Sequence, residues 1–239
     1  MTRTSLSSPD SKTIQSFFDA IPKRYDLLNT VLSFSLDRNW RRHLIYEALN
    51  SGRAVHSVLD IGTGTGTSLQ EFLKTQSFKR AVGCDFSQGM LGVAKEKFPE
   101  TPLLAADLHE LPFENESFDL VTSSFVLRSV KNMDQFLSEV YRILTPHGRF
   151  AFLDLTRPHN SFFWTLLYKP YLTLYLPLVG RAVSKHPQAY QFLSQSIQTF
   201  IEPHRLKEQM ERIGFSSIAL KSLSLGAATI YMGFRSGRA

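Results

Sequence analysis

Three glycines stand at alternate positions between an apolar run and a segment of helical character. The run covers residues 55–61, the glycines are Gly62, Gly64 and Gly66, and the helical segment covers 68–74. Glycine lets a backbone turn sharply and lets a ligand approach it closely, and nucleotides bind at such loops between a strand and a helix. The spacing predicts a site for a nucleotide-like ligand, with a plain tight turn as the alternative.

Carboxylates follow three successive predicted strands at the same edge as this glycine loop. Asp60 ends the first strand, Asp85 ends the second, and Asp107 follows the third. Asp85 is placed to accept hydrogen bonds from both ribose hydroxyls of an adenosine, and a carboxylate there disfavours a phosphorylated ribose. Asp107 is placed to accept from the adenine amino group. Asp60 either binds the ligand or caps the turn after its strand, and the sequence leaves both roles open.

Other chemistries fit the residues less well. The dinucleotide fingerprint G-x-G-x-x-G, counted from Gly62, requires a sixth-position glycine where the chain has Thr67, and no Tyr-x-x-x-Lys pair supports hydride transfer. With one cysteine, Cys84, the chain can form neither an intrachain disulfide nor a thiolate metal cluster. The histidines lack ligand spacing, so no metal site is expected.

Composition is that of a folded protein with an ordinary surface. The chain has 239 residues, of which 43% are hydrophobic and 20% charged, which fits one α/β domain. Its net charge of +6 is spread thinly, which favours solvated helix faces over a nucleic-acid surface. No apolar signal segment occurs in residues 1–11, so a cytoplasmic location is expected.

The remaining pattern alternates short strands with helices. Strands are predicted over 80–84, 103–106, 118–123 and 149–155, and helices over 88–97, with Ser87 as its cap, and 133–144. Such alternation predicts a parallel, doubly wound sheet of the Rossmann-like type. A helix over 203–214 followed by strands over 217–223 and 227–234 predicts an antiparallel hairpin at one edge. Before the sheet, Asp37 is predicted to cap a helix that buries Trp40, Leu44, Ile45 and Ala48 and ends at 50–52.

Two segments stand apart from this alternation. Residues 1–11 are polar and predict a flexible arm, so that 12–239 would form a single domain. Within it, 158–202 is predicted to be a helical insertion or lid, because 162–183 is densely apolar and aromatic. Lys169, Pro170 and Pro177 interrupt that stretch, which disfavours a transmembrane span. A pair of core helices is the alternative to an amphipathic lid.

Asp60, the glycine loop, Asp85 and Asp107 together resemble the cofactor site of class I methyltransferases. That site holds an amino acid, a ribose and an adenine in sequence. The resemblance implies S-adenosylmethionine as the cofactor and a seven-stranded, mostly parallel sheet. It also places Asp60 near the methionine amino group.

Longer segments carry a more specific resemblance. They are 18–29, 36–41, 85–91, 111–113 and 141–148, within a similarity that runs from about Phe17 to Phe234. Tyr25-Asp26-Leu27-Leu28-Asn29 and Asp37-Arg38-Asn39-Trp40-Arg41 are specific, because generic methyltransferases lack them. These segments resemble the C-methyltransferases that complete menaquinone and ubiquinone by methylating the ring of a demethylated quinol.

The resemblance implies a set of cofactor residues. Thr65, Asp85, Asp107 with Leu108, and Ser124 fall on the family's contact positions. The chain departs from the family at Thr67, where an acid is usual, and at Val126 and Ser129, where glycine and asparagine are usual. The full set expected to bind the cofactor is Asp60, Gly62, Gly64, Thr65, Gly66, Asp85, Phe86, Asp107, Leu108 and Ser124.

The implied reaction needs an activated acceptor. A quinol ring carbon becomes a good nucleophile when its neighbouring hydroxyl is deprotonated. Arg128 is therefore expected to stabilise the phenolate, and Asp107 to take the proton directly or through a water. A structural ion pair is the alternative role for Arg128. The apolar stretch 162–183 would receive the isoprenoid tail and contact the inner face of the membrane peripherally.

Two other functions remain open from the sequence. One is methylation of another phenol or a small lipid at the same cofactor site, which the departures at Val126 and Ser129 favour. The other is a cofactor-binding partner subunit that has lost catalysis. The sequence leaves the oligomeric state open.

Overall fold

A seven-stranded sheet forms the frame of the molecule. The computed structural model describes residues 26, 29–50, 52–158, 161–176, 178 and 187–237. The strands lie in the order β3-β2-β1-β4-β5-β7-β6. They are β1 (Ser57–Ile61), β2 (Arg80–Asp85), β3 (Leu103–Ala105), β4 (Phe118–Ser124), β5 (Leu144–Leu155), β6 (Phe215–Leu223) and β7 (Ala228–Arg235).

The strand directions confirm the predicted fold class. β1 to β5 pair with one another in parallel, and β7 pairs antiparallel with both β5 and β6. The expected Rossmann-like sheet with an antiparallel hairpin at one edge is therefore present. Since parallel strands end at the same edge, the loops after β1, β2, β3 and β4 gather there.

Helices connect and cover the strands. The α-helices are α1 (Leu36–Leu49), α2 (Thr67–Thr75), α3 (Gln88–Lys97), α4 (Met133–Ile143), α5 (Pro187–Thr199) and α6 (Pro203–Ile213). Helix α3 has the predicted bounds, and the Ser87 hydroxyl caps it by accepting from the backbone N–H of Met90 over 3.1 Å. Short 3₁₀ turns cover Leu127–Ser129 and Ser224–Gly226.

Most predicted bounds differ from the structure by no more than two residues, but the starts of β5 and α1 need a physical explanation. β5 begins at Leu144, earlier than the predicted 149, because Leu144 already pairs with Phe118 across a register shift in β4. The prediction that Asp37 caps α1 is wrong. The helix begins at Leu36, Ser35 is the cap residue with a φ of 63°, and the Asp37 carboxylate accepts from the Ser33 hydroxyl over 2.8 Å.

Apolar helix faces cover both sides of the sheet. Trp40, Leu44, Ile45 and Ala48 of α1 are buried, as predicted, and pack with strand residues such as Leu120. On the other side, α4 and α6 contribute the buried side chains Phe136, Leu137, Val140, Leu206 and Met210 to a second cluster. This two-sided packing holds the loops at the carboxyl edge in fixed positions.

The described part of the expected insertion is helical. It contains Ser161–Phe163, two π-helical turns at Trp164–Tyr168 and Tyr171–Tyr175, and α5. A third apolar cluster joins these helices to Leu32 and is formed by Leu32, Trp164, Leu172, Leu176 and Ile197. No helix in the described ranges is long and apolar enough to cross a membrane. The expected arm, 1–11, lies outside the described residues.

Candidate cofactor cleft and acceptor cavity

A cleft opens at the carboxyl edge of β1, β2 and β4, where the predicted residues were expected to meet. Arg41, Asp26, Val126 and Ser129 also form part of its wall. Of the residues expected to bind the cofactor, those lining the cleft are Gly62, Gly64, Thr65, Asp85, Phe86, Leu108 and Ser124. The remaining three, Asp60, Gly66 and Asp107, lie outside its lining.

The glycine loop turns as its spacing predicts. Gly62, Gly64 and Gly66 have φ values of 64°, 56° and 81°. A Cβ atom on Gly62 would lie 2.3 Å from Cγ2 of Val126, whereas one on Gly64 would meet nothing within 4 Å. Gly64 therefore presents bare backbone to open space, which is where a ligand can come closest.

Asp85 ties this loop to the end of β2. Its carboxylate accepts hydrogen bonds from the backbone N–H groups of Gly64, over 2.8 Å, and Ser87, over 2.9 Å. The side chain is buried and lines the cleft beside the open space at Gly64. A carboxylate at this place suits the hydroxyls of a ribose, as the sequence predicts.

Asp60 holds the glycine loop in place through its buried carboxylate. Its carboxylate is buried and accepts from the hydroxyls of Thr63 and Thr122, each over 2.8 Å. Burial raises the pKa of Asp60 to about 6, against the opposing effect of these two hydrogen bonds. Of its two predicted roles, the contacts support holding the turn.

Asp107 faces solvent beside the cleft. Its side chain is 71% exposed, and Oδ1 accepts from the backbone N–H of His109 over 2.9 Å and lies 2.8 Å from the His109 ring nitrogen Nδ1. The hydrogen bond from the His109 backbone holds the pKa of Asp107 below its usual value. The neighbouring residue Leu108 is the one that lines the cleft.

Arg41 and Asp26 are among the residues of the cleft wall that the sequence pattern does not single out as site residues. Arg41 donates from Nη1 to the Ser68 hydroxyl, which donates to the Ser124 hydroxyl over 3.0 Å. Asp26 accepts from the Thr65 hydroxyl over 2.6 Å. Both lie in the two family-specific segments, which was the signal available in the sequence.

A second, apolar cavity of about 280 Å³ adjoins the cleft. Phe125 lines both spaces, so they share a wall. The cavity brings together side chains of α1, the π-helical turns and α5, and its lining includes Trp40, Tyr168, Tyr171, Leu172, Leu176 and Ile197. A hydrophobic ligand in this cavity would have one end near the cleft.

Arg128 lies in the wall of the apolar cavity. Its Nη1 donates to Oδ1 of the fully buried Asp154, and its backbone N–H donates to Oδ2 over 3.1 Å. Its Nε is buried and has no hydrogen-bond partner among the described residues. Arg128 is therefore an ion-pair partner that also holds a spare donor.

Known proteins with similar sequences are methyltransferases. The model of the ubiE/COQ5 methyltransferase family matches residues 6–235. The demethylmenaquinone methyltransferase of Streptomyces avermitilis is 40% identical over 235 residues, which cover 98% of this chain and 99% of the relative. That of Mycobacterium tuberculosis strain H37Rv is 38% identical over 238 residues, covering 100% and 98%.

Solved structures agree on the fold. Phosphoethanolamine N-methyltransferase 2 of Haemonchus contortus, in complex with S-adenosyl-L-methionine, has a TM-score of 0.61 at 18% identity over 83% of this chain and 52% of that one. The [4+2]-cyclase SpnF has a TM-score of 0.68 at 14% identity over 97% and 98%. The family match covers residues 6–235, and the cleft with its glycine loop agrees with it. The chain therefore belongs to the ubiE/COQ5 methyltransferase family and is an S-adenosylmethionine-dependent methyltransferase.

Proposed function

We propose that this enzyme transfers the methyl group of S-adenosylmethionine to a ring carbon of a demethylated isoprenoid quinol of the demethylmenaquinol type. The observation that carries the proposal is the apolar cavity beside the cleft, with Phe125 in both walls. An aromatic ring with an apolar tail suits such a cavity, and the relatives that match over nearly their full length carry the name demethylmenaquinone methyltransferase.

The residues that line the cleft are proposed to bind the cofactor. Asp85 accepts from the ribose hydroxyls, the open backbone at Gly64 receives the ligand's closest approach, and Phe86 with Leu108 forms apolar walls for the adenine. Ser124, at the end of β4, faces the amino-acid end. When bound, S-adenosylmethionine would supply an electrophilic methyl group and leave as S-adenosylhomocysteine, while the methylated ring carbon would lose its proton to solvent. The residues of the cleft contribute by holding the methyl group about 3 Å from the acceptor carbon and in line.

Arg128 is proposed to stabilise the phenolate of the acceptor. Arg128 lines the cavity, its guanidinium forms an ion pair with Asp154, and its Nε has no hydrogen-bond partner among the described residues. A preorganised cation at a developing negative charge is an effective catalytic device in a dry site. The ion pair with Asp154 fixes the side chain and leaves Nε to donate.

Asp107 is proposed to act at the adenine end of the cleft. It lines neither the cleft nor the apolar cavity, and its lowered pKa makes it a weak base. Both features argue against removal of the acceptor proton by Asp107. Its exposed carboxylate beside Leu108 suits the adenine amino group instead.

The helices after β5 are proposed to form a lid that seats on the inner face of the membrane. Residues 12–239 would then be one domain with the lid at 158–202. One face of the helical turns is buried around Trp164 and Leu172. The exposed large apolar side chains of the same segment are Phe162, Leu166, Leu167, Leu174, Tyr175 and Leu178. Exposed apolar groups beside a lipid-binding cavity suit peripheral contact with a bilayer.

Methylation of another phenol or small lipid is the second candidate. Val126 and Ser129, the two departures from the family's usual residues, both line the cleft. Val126 directly follows Phe125, which lines both the cleft and the apolar cavity, so these departures lie where the cleft adjoins the acceptor space and favour a changed acceptor.

Turnover with a panel of acceptors tests the proposal. The purified enzyme is given S-adenosylmethionine with demethylmenaquinol, a demethylated ubiquinol precursor or a simple phenol, and methylated products are identified by mass. Asp85→Ala serves as the matched inactive variant. Ring methylation of demethylmenaquinol supports the proposal. Methylation of the phenol alone favours the second candidate, and the absence of any product contradicts both.

A further inference from the structure

Arg41 is a buried cation in the wall of the cleft. The residue is 8% exposed, and its guanidinium lies 4.8 Å from the ring centroid of Phe125. Nη1 donates to the neutral hydroxyl of Ser68, while Nε is buried and has no hydrogen-bond partner among the described residues. Within those same residues no carboxylate forms a salt bridge with it.

This arrangement leaves a positive charge under-compensated. Taking a guanidinium out of water is costly unless a counter-ion and hydrogen bonds replace the solvent. The Ser68 hydroxyl and the face of the Phe125 ring replace only part of the lost hydration. Asp60 attracts Arg41 electrostatically but forms no salt bridge with it, because its carboxylate accepts hydrogen bonds from the hydroxyls of Thr63 and Thr122. A buried arginine with this environment can bind an anionic group that enters the cleft.

The order of the strands indicates which group of the ligand would lie beside Arg41. Asp85 ends β2, the glycine loop follows β1, and Ser124, which Arg41 reaches through Ser68, ends β4. The order β2-β1-β4 places the ribose acceptor and the cation on opposite sides of the glycine loop. A ligand with its ribose at Asp85 therefore extends its other end toward Arg41. In S-adenosylmethionine that end is an amino acid, and its carboxylate is the only anionic group of the molecule.

We propose that Arg41 binds the carboxylate of the methionine part of S-adenosylmethionine. The inference rests on the proposed position of the cofactor. Nε supplies a charge-assisted hydrogen bond, while the chain of hydroxyls from Ser68 to Ser124 fixes the guanidinium plane. Arg41 is thus a cofactor-specificity residue, which selects adenosyl sulfur compounds that carry a carboxylate.

Two ligands that differ at the amino-acid end test this assignment without any turnover. S-adenosylhomocysteine carries the carboxylate, and 5′-methylthioadenosine lacks the amino-acid end altogether. Calorimetry measures the affinity of each for the wild type, Arg41→Gln and Arg41→Lys. Arg41→Gln should weaken S-adenosylhomocysteine about 10- to 100-fold and change methylthioadenosine less than about twofold, since a hydrogen bond to a charged group is lost for one ligand alone. Arg41→Lys should fall between.

Control variants separate this role from a structural one. Arg149→Gln also removes a buried guanidinium, away from the cleft, and should leave both affinities unchanged. Asp85→Ala should weaken both ligands, which checks the position of the cofactor itself. Equal weakening of the two ligands by Arg41→Gln, or none of either, would overturn the proposal. Decarboxylated S-adenosylhomocysteine tests it on the wild type, where it should bind as poorly as the natural ligand binds Arg41→Gln. Failure of the quinol assay leaves these affinities untouched.

Discussion

The Thr65 hydroxyl donates a 2.6 Å hydrogen bond to the Asp26 carboxylate, which joins the segment before α1 to the glycine loop. Thr67 donates to the same oxygen over 3.1 Å, and the Lys97 ammonium lies 2.7 Å from the other. Asp26 also lines the cleft. The neutral donor at position 67, where the family usually has an acid, suits a neighbouring carboxylate, because a second acid there would repel it.

Asp26→Asn should loosen this side of the cleft. The amide still accepts from Thr65, but the pair with Lys97 is lost. Because both partners are partly exposed, the cost in stability should stay below about 1 kcal/mol. S-adenosylhomocysteine should dissociate several-fold faster, measured by stopped-flow fluorescence. Glu71→Gln, which breaks the comparable surface pair with Lys74 on α2, is the control and should leave that rate unchanged.

The same pair has a pH dependence of defined sign. Burial raises the pKa of Asp26, but hydrogen bonds from Lys97 and Thr65 outweigh it, and the net pKa lies below the ordinary value of 3.8. The stabilisation from ionised Asp26 is therefore present above about pH 4 and is lost as the pH falls through the folded-state pKa. The difference in stability between wild type and Asp26→Asn should shrink toward zero in acid. A constant difference would contradict this account.

Asp60 should show the opposite dependence. Burial raises its pKa from 3.8 to about 6, so folding favours the protonated acid and loses that contribution as the pH rises from about 4 through 6. Between pH 4 and 7, the free energy of unfolding of Asp60→Asn should therefore rise by roughly 3 kcal/mol relative to that of the wild type. This order-of-magnitude value follows from about 1.36 kcal/mol per unit of pKa shift. Urea unfolding across this range measures it.

Asp119→Asn is the matched control for Asp60. Although burial raises the pKa of Asp119, hydrogen bonds from His56 and Ser57 lower it overall. This variant should lose stability relative to the wild type as the pH rises through 4. Parallel slopes for the two variants would disprove the assignment of the pH effect to the burial of Asp60.

Arg128→Lys should reduce turnover about 100-fold while the affinity for S-adenosylhomocysteine stays near normal, because one donor to the phenolate is lost. Lysine keeps a charge beside the buried Asp154, whose complete loss of a partner would cost about 3–5 kcal/mol. Arg142→Lys, which alters an ion pair with Glu139 on α4, is the control. Unchanged turnover in Arg128→Lys would leave Arg128 only its structural pair with Asp154.

Local signals carried most of the fold prediction. Ser87 before an amphipathic segment gives both the cap and the start of α3, and strand ends followed by acids give the sheet edge at Asp85. The start of β5 was missed because Thr145 to Gly148 has the composition of a turn, while its pairing depends on the distant Phe118. A register shift in one strand cannot be read from the other.

The site was less predictable, since its contacts cross long stretches of chain. Arg41 on α1 contacts Ser68 on α2 and Phe125 just after β4, so three separate parts of the chain meet in this wall of the cleft. Asp107 was placed at the correct edge, but its hydrogen bonds to His109, two residues later, direct it to solvent. Strand position fixes where a residue stands, and side-chain partners decide which way it faces.

Gly62 and Val126 should be energetically coupled. Gly62→Ala combines backbone strain at a φ of 64° with a contact of 2.3 Å to Val126 Cγ2. Val126→Ala removes that contact, so Gly62→Ala should cost only the strain, about 1–2 kcal/mol, in the Val126→Ala background and clearly more in the wild type. Gly64→Ala, with a similar φ but open space at Cβ, is the control and should show the strain alone. Additive losses at the first pair would mean that the loop relaxes away from Val126.

Exposed leucines on the helices after β5 should decide whether the enzyme binds membranes. Leu166 and Leu174 are 58% and 63% exposed and lie outside the cavity lining, so their replacement leaves the acceptor space intact. The wild type should float with anionic phospholipid vesicles, and the double variant Leu166→Glu with Leu174→Glu should stay at the bottom of the gradient, because charge opposes insertion of this face. Tyr46→Glu, at 63% exposure on α1, is the control and should float. Turnover of a quinol without a tail should be equal in all three proteins. If the double variant floats as well as the wild type, this face is not the membrane contact.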